Sequence, residues 1–221
     1  MSKKPTEVDY AEEGRKLIAS ELSARSQTAP DEEDAIDEIR KFYLGRVNLL
    51  DLLTKPAARY AIANAIYKHP ESGATLYVGN YQAASNMQIL DNTLQRCRRI
   101  VFCQSLDGKM HFKDNPEFAY LPFNIGRWRT LVESRSPECV ATFFQPLFAF
   151  LDNELQRGNS ILIHCLAGAH RAGTAGIASL MHLCSFDAAE ATTAAQLLRP
   201  AINPIGDFPT LLALLEEGMK K

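Results

Sequence analysis

The chain contains no apolar run near the roughly 18 residues that a membrane-spanning helix needs, which argues against a membrane-embedded protein. It also lacks a C-x-x-C pair, and its five cysteines (Cys97, Cys103, Cys139, Cys165 and Cys184) are odd in number. Neither a thioredoxin-like redox motif nor a fully paired disulfide framework is therefore expected. The polar start "MSKKPTEVDYAEEGRK" has no apolar core of a secretory signal, and its acids argue against an organelle transit peptide. Reduced thiols in the cytoplasm, with the nucleus also open to the protein, are the expectation. An excess of one charge is missing too. The formal net charge is −2, so nothing in the balance points to nucleic acid or to a membrane surface as partner. No internal repeat or low-complexity tract appears.

What is present is 221 residues with 46% hydrophobic content, enough for one ordinary domain and an extra segment. Charge is unevenly placed: residues 1–40 hold 6 Lys/Arg against 11 Asp/Glu, leaving 18 against 15 for the rest. Residues 1–30 read as a mobile polar tail. Residues 31–71 read as a helical N-terminal extension, in which "DEEDAIDEIRKFYLGRVNLLDLLTK" spaces Ile36, Ile39, Phe42 and Tyr43 at helical intervals and "PAARYAIANAIYKH" forms a further helix. The run Asp31 to Asp34 is most simply that extension's helix start.

From residue 72 onward the pattern alternates. "TLYVGN", "RRIVFCQS", "AYLPFNI" and "SILIHC" read as strands, with "QILDNTLQRC" helical between the first two. An amphipathic helix runs from Val140 to Gln156, and three more follow: "RAGTAGIASLMHLC", one opening at Asp187 with Glu190 as a capping box, and "FPTLLALLEEGMKK". This order predicts an α/β fold of three layers, a central mostly parallel sheet of about five strands with helices on both faces, preceded by the helical extension. Residues 72–221 form the expected catalytic domain.

The strand "SILIHC" is short, β-branched and apolar, and it runs straight into "LAGAHRAGT". A strand ending at a cysteine, a loop of small residues and a helix starting at an arginine build a cradle for a tetrahedral anion. Backbone N–H groups of Leu166, Ala167, Gly168, Ala169 and His170 can face one point, and the following helix adds its positive end. Gly168 permits a backbone angle closed to other residues. Arg171 offers a planar fork for two phosphate oxygens. The same field favours the thiolate form of Cys165, which then sits beneath a phosphorus atom.

The stretch His164-Cys165 to Arg171 fits H-C-x5-R and so resembles the cysteine-dependent protein tyrosine phosphatases. "AG" at 167–168, "LYVGNYQAASN", "RRIVFCQS" and "LLRPAINPIGDF" extend the likeness to the dual-specificity branch over about residues 72–221. The resemblance implies hydrolysis of phosphotyrosine, and of phosphoserine and phosphothreonine, on phosphorylated protein substrates. Cys165 would be the nucleophile, and Arg171 with the loop amides would bind the phosphoryl group. His164, next to the nucleophile, would orient the loop and help keep the sulfur ionised. No metal or other cofactor is implied.

Two features depart from that family. Its general acid is usually an aspartate about thirty residues before the cysteine, yet no aspartate lies between Asp114 and Asp152. Glu133, 32 positions before Cys165, is the expected substitute, with Glu138 behind it. The residue after the arginine, Ser or Thr in most relatives, is Ala172, which removes a hydroxyl that helps the cysteine leave in the second step. Thr174 is the nearest replacement. A slow phosphatase follows, and the competing reading is a phosphatase-like module that binds phosphoproteins with little turnover. Phosphoinositide or glucan hydrolysis is a lesser alternative, since the loop carries no lysine.

Further expectations concern the surroundings. Arg127, Trp128 and Arg129 suggest a basic and aromatic substrate rim, against the simpler reading of Trp128 as a core residue. Cys97, Cys103 and Cys184 lie in apolar contexts and read as core. Cys103 would also serve to resolve an oxidised Cys165 where the strands bring the two together.

Overall fold

A computed structural model describes residues 32–52, 61–103 and 108–220. The expected tail at 1–30 lies outside the described residues. The first described element is a helix, α1 (Glu32–Arg46), whose Tyr43 and Leu44 are buried in the main core. The sheet begins earlier than expected. Residues 63–68 form a strand, β1 (Ala63–Lys68), where "PAARYAIANAIYKH" had suggested a helix. Alanine-rich segments favour a helix only weakly, and here pairing with the next strand overrides that preference. β1 runs antiparallel to β2 (Thr75–Gly79), and a register irregularity between Ala65 and Tyr67 lets the neighbours Ile66 and Tyr67 both be buried.

The remaining strands are β3 (Arg99–Phe102), β4 (Ala119–Pro122) and β5 (Ile161–His164). Their order is β1-β2-β5-β3-β4, with every pairing except the first parallel. β5 is therefore central, and all four of its residues are buried, as its unbroken apolar run requires. Between β2 and β3 lie a short helix, α2 (Tyr81–Ser85), and a single π-type turn at Ile89–Thr93, less helix than "QILDNTLQRC" promised. A short helix, α3 (Trp128–Leu131), follows β4.

One face of the sheet is covered by Leu90, Leu94, Cys97 and Phe118 with their neighbours. The larger core fills the other face, beneath α4 (Pro137–Gln156), α5 (Arg171–Cys184), α6 (Ala188–Leu198) and α7 (Phe208–Met219). Helix α5 is buried on all sides from Ala172 to Met181, not on one face. That explains its small residues. Its two hydroxyls are satisfied inside the helix, Thr174 on the His170 carbonyl and Ser179 on the Ala175 carbonyl. The Asp187–Glu190 capping box at the start of α6 is formed as expected.

Candidate active site

The phosphate-cradle reading rests on where the backbone groups of residues 166–170 point. Every carbonyl in that loop is engaged by the surrounding protein. Leu166 accepts from the Tyr81 amide at 3.0 Å and Ala169 from the Asn203 amide at 3.2 Å. Ala167 and Gly168 accept from the Arg199 guanidinium at 3.3 and 2.8 Å. His170 accepts from the amide and the hydroxyl of Thr174. A planar trans peptide points its N–H opposite to its carbonyl. With five successive carbonyls turned outward, the N–H groups of residues 167–171 face the interior of the loop. One is seen directly: the Gly168 amide donates to the Cys165 sulfur at 3.3 Å.

Cys165 itself is 3% exposed, at the end of the central strand and beneath this ring of donors. Gly168 has φ +69°, the left-handed region, and an added Cβ would lie 2.7 Å from Arg199 Nη2 and closer still to the Gly79 carbonyl. Arg171 opens α5, and Gly126 lies against its side chain, with a Cβ built on Gly126 falling 3.2 Å from Arg171 Cδ. Arg171 has no ion-pair partner among the described residues. The loop N–H groups and the N-terminus of α5, which Arg171 opens, thus lie next to Cys165.

His164 is 1% exposed, and its Nδ1 has no hydrogen-bond partner. Burial pushes its pKa down to about 4, with His111 nearby adding to the effect and the Cys165 backbone opposing it. At neutral pH the ring is uncharged, so any help it gives the sulfur comes from position and not from charge. His111 Nε2 is likewise unpartnered, and burial and Lys109 lower its pKa. His170 is half-buried, with Nδ1 donating to the Asn203 carbonyl at 2.6 Å.

Several sequence expectations are changed by the geometry. Thr174 cannot replace the hydroxyl missing at Ala172, because its Oγ1 donates to the His170 carbonyl at 2.8 Å. Trp128 is 2% exposed and packs in the main core, so it forms no part of a rim. Of its neighbours, Arg127 is exposed, while Arg129 pairs with Asp207 and lies over the Trp128 ring. Glu133 is exposed just beyond α3, and its charge acts on Cys139 in the first turn of α4. Glu138 lies inside that first turn.

The strands do bring Cys103 beside Cys165. Phe102 pairs with His164, and the Cys103 amide donates to the His164 carbonyl at 2.9 Å. Burial first, then the neighbouring Cys165, hold the Cys103 thiol well above its ordinary pKa, so it stays protonated.

The sequence reading assigned Arg199 no role of its own. It is 1% exposed, the largest of the fully buried side chains. The available signal was its place in "LLRPAINPIGDF", the segment that follows the loop helix.

The sequence model of the family "Dual specificity phosphatase, catalytic domain" matches residues 76–217. Dual specificity protein phosphatase 1 of Arabidopsis thaliana is 26% identical over 146 residues, covering 66% of this chain and 67% of its own. The crystal structure of human DUSP28 superposes with a TM-score of 0.56 at 19% identity, over 75% of this chain and 99% of that one. The human tyrosine phosphatase-like serine/threonine/tyrosine-interacting protein gives a TM-score of 0.53 at 25% identity, over 66% and 93%.

Proposed function

Because the chain belongs to the dual specificity phosphatase catalytic-domain family, we propose that it hydrolyses phosphotyrosine, and phosphoserine and phosphothreonine, in protein substrates through a cysteinyl-phosphate. The observation that carries this reading is the loop in which all five carbonyls of residues 166–170 are turned outward and one amide already donates to the Cys165 sulfur. A phosphoryl group seated there has its equatorial oxygens among N–H donors and the Arg171 fork. Cys165 lies beneath the phosphorus for in-line attack. The bond to the leaving oxygen breaks as that oxygen takes a proton, and water then attacks the cysteinyl-phosphate to release inorganic phosphate.

Glu133 is the proposed proton donor, supported by its exposed place on the connection between β4 and α4 and by the lack of an aspartate from 115 to 151. Ala172 leaves the departing thiolate without a hydroxyl donor, which slows the second step. The active-site rim reduces to Arg127 and Arg129, both exposed. All five cysteines are free, which supports a reducing compartment such as the cytoplasm. Among the described residues no helix is long and apolar enough to cross a membrane.

A second reading, a phosphoprotein-binding module with little turnover, is favoured by Ala172, which offers the sulfur no hydroxyl, and by the lack of an aspartate from 115 to 151. The deciding experiment is steady-state hydrolysis of an aryl phosphate by wild type, Cys165→Ser and Glu133→Gln. Turnover abolished by Cys165→Ser establishes the cysteine mechanism. A loss of about 10² in Glu133→Gln identifies the acid. A folded wild type that binds phosphotyrosine peptide without hydrolysing it is the second reading.

A further inference from the structure

We propose that Arg199 is the positioning residue of the phosphate loop, a buried cation that keeps the Ala167 and Gly168 carbonyls turned away from the anion, and that it is itself aimed by Ala61 and Asn64, upstream of the matched catalytic region. This inference rests on the proposed function, since it assigns how that same loop is held open for a phosphoryl group.

The guanidinium has five N–H donors, and four protein acceptors meet them. Nε donates to the Gly168 carbonyl at 2.8 Å and Nη2 to the Ala167 carbonyl at 3.3 Å. Nη1 donates to the Ala61 carbonyl at 2.9 Å and to Asn64 Oδ1 at 2.6 Å. The main chain of Arg199 is also anchored, its amide on the Ala195 carbonyl and its carbonyl accepting from Ile202. No carboxylate pairs with it among the described residues. A buried cation is costly without a counter-charge, and what faces Arg199 is a set of carbonyl dipoles. The nearby Cys165 sulfur favours its charged form, against the burial that disfavours it.

The arrangement has a direct consequence for the anion. If the carbonyls of Ala167 and Gly168 turn inward, the pocket loses the N–H donors of Gly168 and Ala169 and gains two acceptors facing the phosphate. The two peptide units that Arg199 holds are those flanking Gly168, the one loop residue in the left-handed region and hence the point about which the loop is free to turn. Lysine, a single point charge, cannot hold two carbonyls and an amide oxygen in one plane.

Asn64 is a half-buried residue of β1, and Ala61 precedes that strand. Both lie before residue 76, where the family match begins. The segment ahead of the matched region thereby becomes part of the active-site machinery.

The test compares wild type, Asn64→Ala and Arg199→Lys, using inorganic phosphate by calorimetry, aryl phosphate kinetics and amide hydrogen exchange at Gly168 and Ala169. Asn64→Ala is the informative variant where Arg199→Lys fails to fold. The expected result is a folded Asn64→Ala protein with phosphate affinity and kcat/KM each reduced about tenfold, and faster exchange at those two amides. Arg199→Lys should lose about 10² in both. A merely structural role would lower the melting temperature and leave phosphate affinity of the folded variants within twofold of wild type, and that result overturns the proposal. If wild type binds phosphate but does not turn it over, the hydrolytic function fails while the affinity arm still decides the positioning role. If wild type binds no phosphate, the exchange arm decides: unchanged exchange in Asn64→Ala overturns the proposal.

Discussion

Replacing Gly168 by alanine puts a methyl group where the backbone of β2 and the Arg199 guanidinium already are. The new Cβ would fall 2.7 Å from Arg199 Nη2 and nearer still to the Gly79 carbonyl oxygen. An ordinary approach is about 3.5 Å, so the loop must shift by roughly 1 Å. The positive φ of +69° adds a conformational cost of about 1–2 kcal/mol for a residue with a side chain. A displacement of about 1 Å at reacting groups is worth on the order of 10² in rate.

Gly158→Ala separates the two effects. Gly158 has φ +81° with nothing within 4 Å of its built Cβ, so the conformational cost is present and the collision is absent. Both variants are expected to melt a few degrees below wild type. Only Gly168→Ala should lose aryl phosphate turnover and phosphate affinity. The assay pairs thermal melting with steady-state kinetics and phosphate titration. Turnover of Gly168→Ala within about threefold of wild type would refute the idea that the close-packed, outward-turned loop is what binds the phosphoryl group.

Three further expectations follow from the same geometry. The native His164 pKa of about 4 lies below its unfolded 6.5, so between those values the unfolded chain binds a proton that the native protein refuses. Stability from this group is constant above pH 6.5 and falls by about 3 kcal/mol as the pH drops to 4; urea unfolding at pH 7.5 and 4 should show that extra loss in wild type and not in His164→Asn. Ala172→Ser returns a donor to the departing sulfur and should shorten the life of the cysteinyl-phosphate about tenfold or more, read by rapid-quench phosphoenzyme trapping; an unchanged lifetime would mean that Ala172 is not what limits the second step. Hydrogen peroxide should oxidise Cys165 to the sulfenic acid, which condenses with the adjacent Cys103 thiol to give a disulfide and water, so that dithiothreitol restores wild type better than Cys103→Ser; peptide mapping without reductant that finds no Cys103–Cys165 link removes this expectation.

How much of the site was legible depends on whether its parts are neighbours in sequence. Cys165, the small loop residues and Arg171 lie within one short strand-loop-helix unit, whose spacing dictates that they meet. The central strand was equally readable, because burial on both faces demands an unbroken apolar run. The Asp187 cap was readable because capping is local chemistry. Trp128 was not, since an aromatic between two arginines looks alike whether it faces solvent or core. β1 was misread because Ala63 to Lys68 satisfies the periods of both helix and strand, and only the edge of β2, brought there by the fold, selects between them.

The strand-loop-helix unit that carries Cys165 and Arg171 and the buried central strand were set by the sequence alone, through local spacing and periodic burial. What only the tertiary structure decided is which donors reach the carbonyls of that loop. Arg199 and Asn64 stand 34 and 101 positions from Cys165 in opposite directions along the chain; Arg199 meets the loop and Asn64 meets Arg199 because the antiparallel pairing of β1 with β2 and the parallel pairing of β2 with β5 bring the start of β1, the end of β2 and the loop after β5 together. The physical reason is that a peptide carbonyl is oriented by whatever donor reaches it, and no spacing rule within the loop names a donor that arrives from 31 or more residues away.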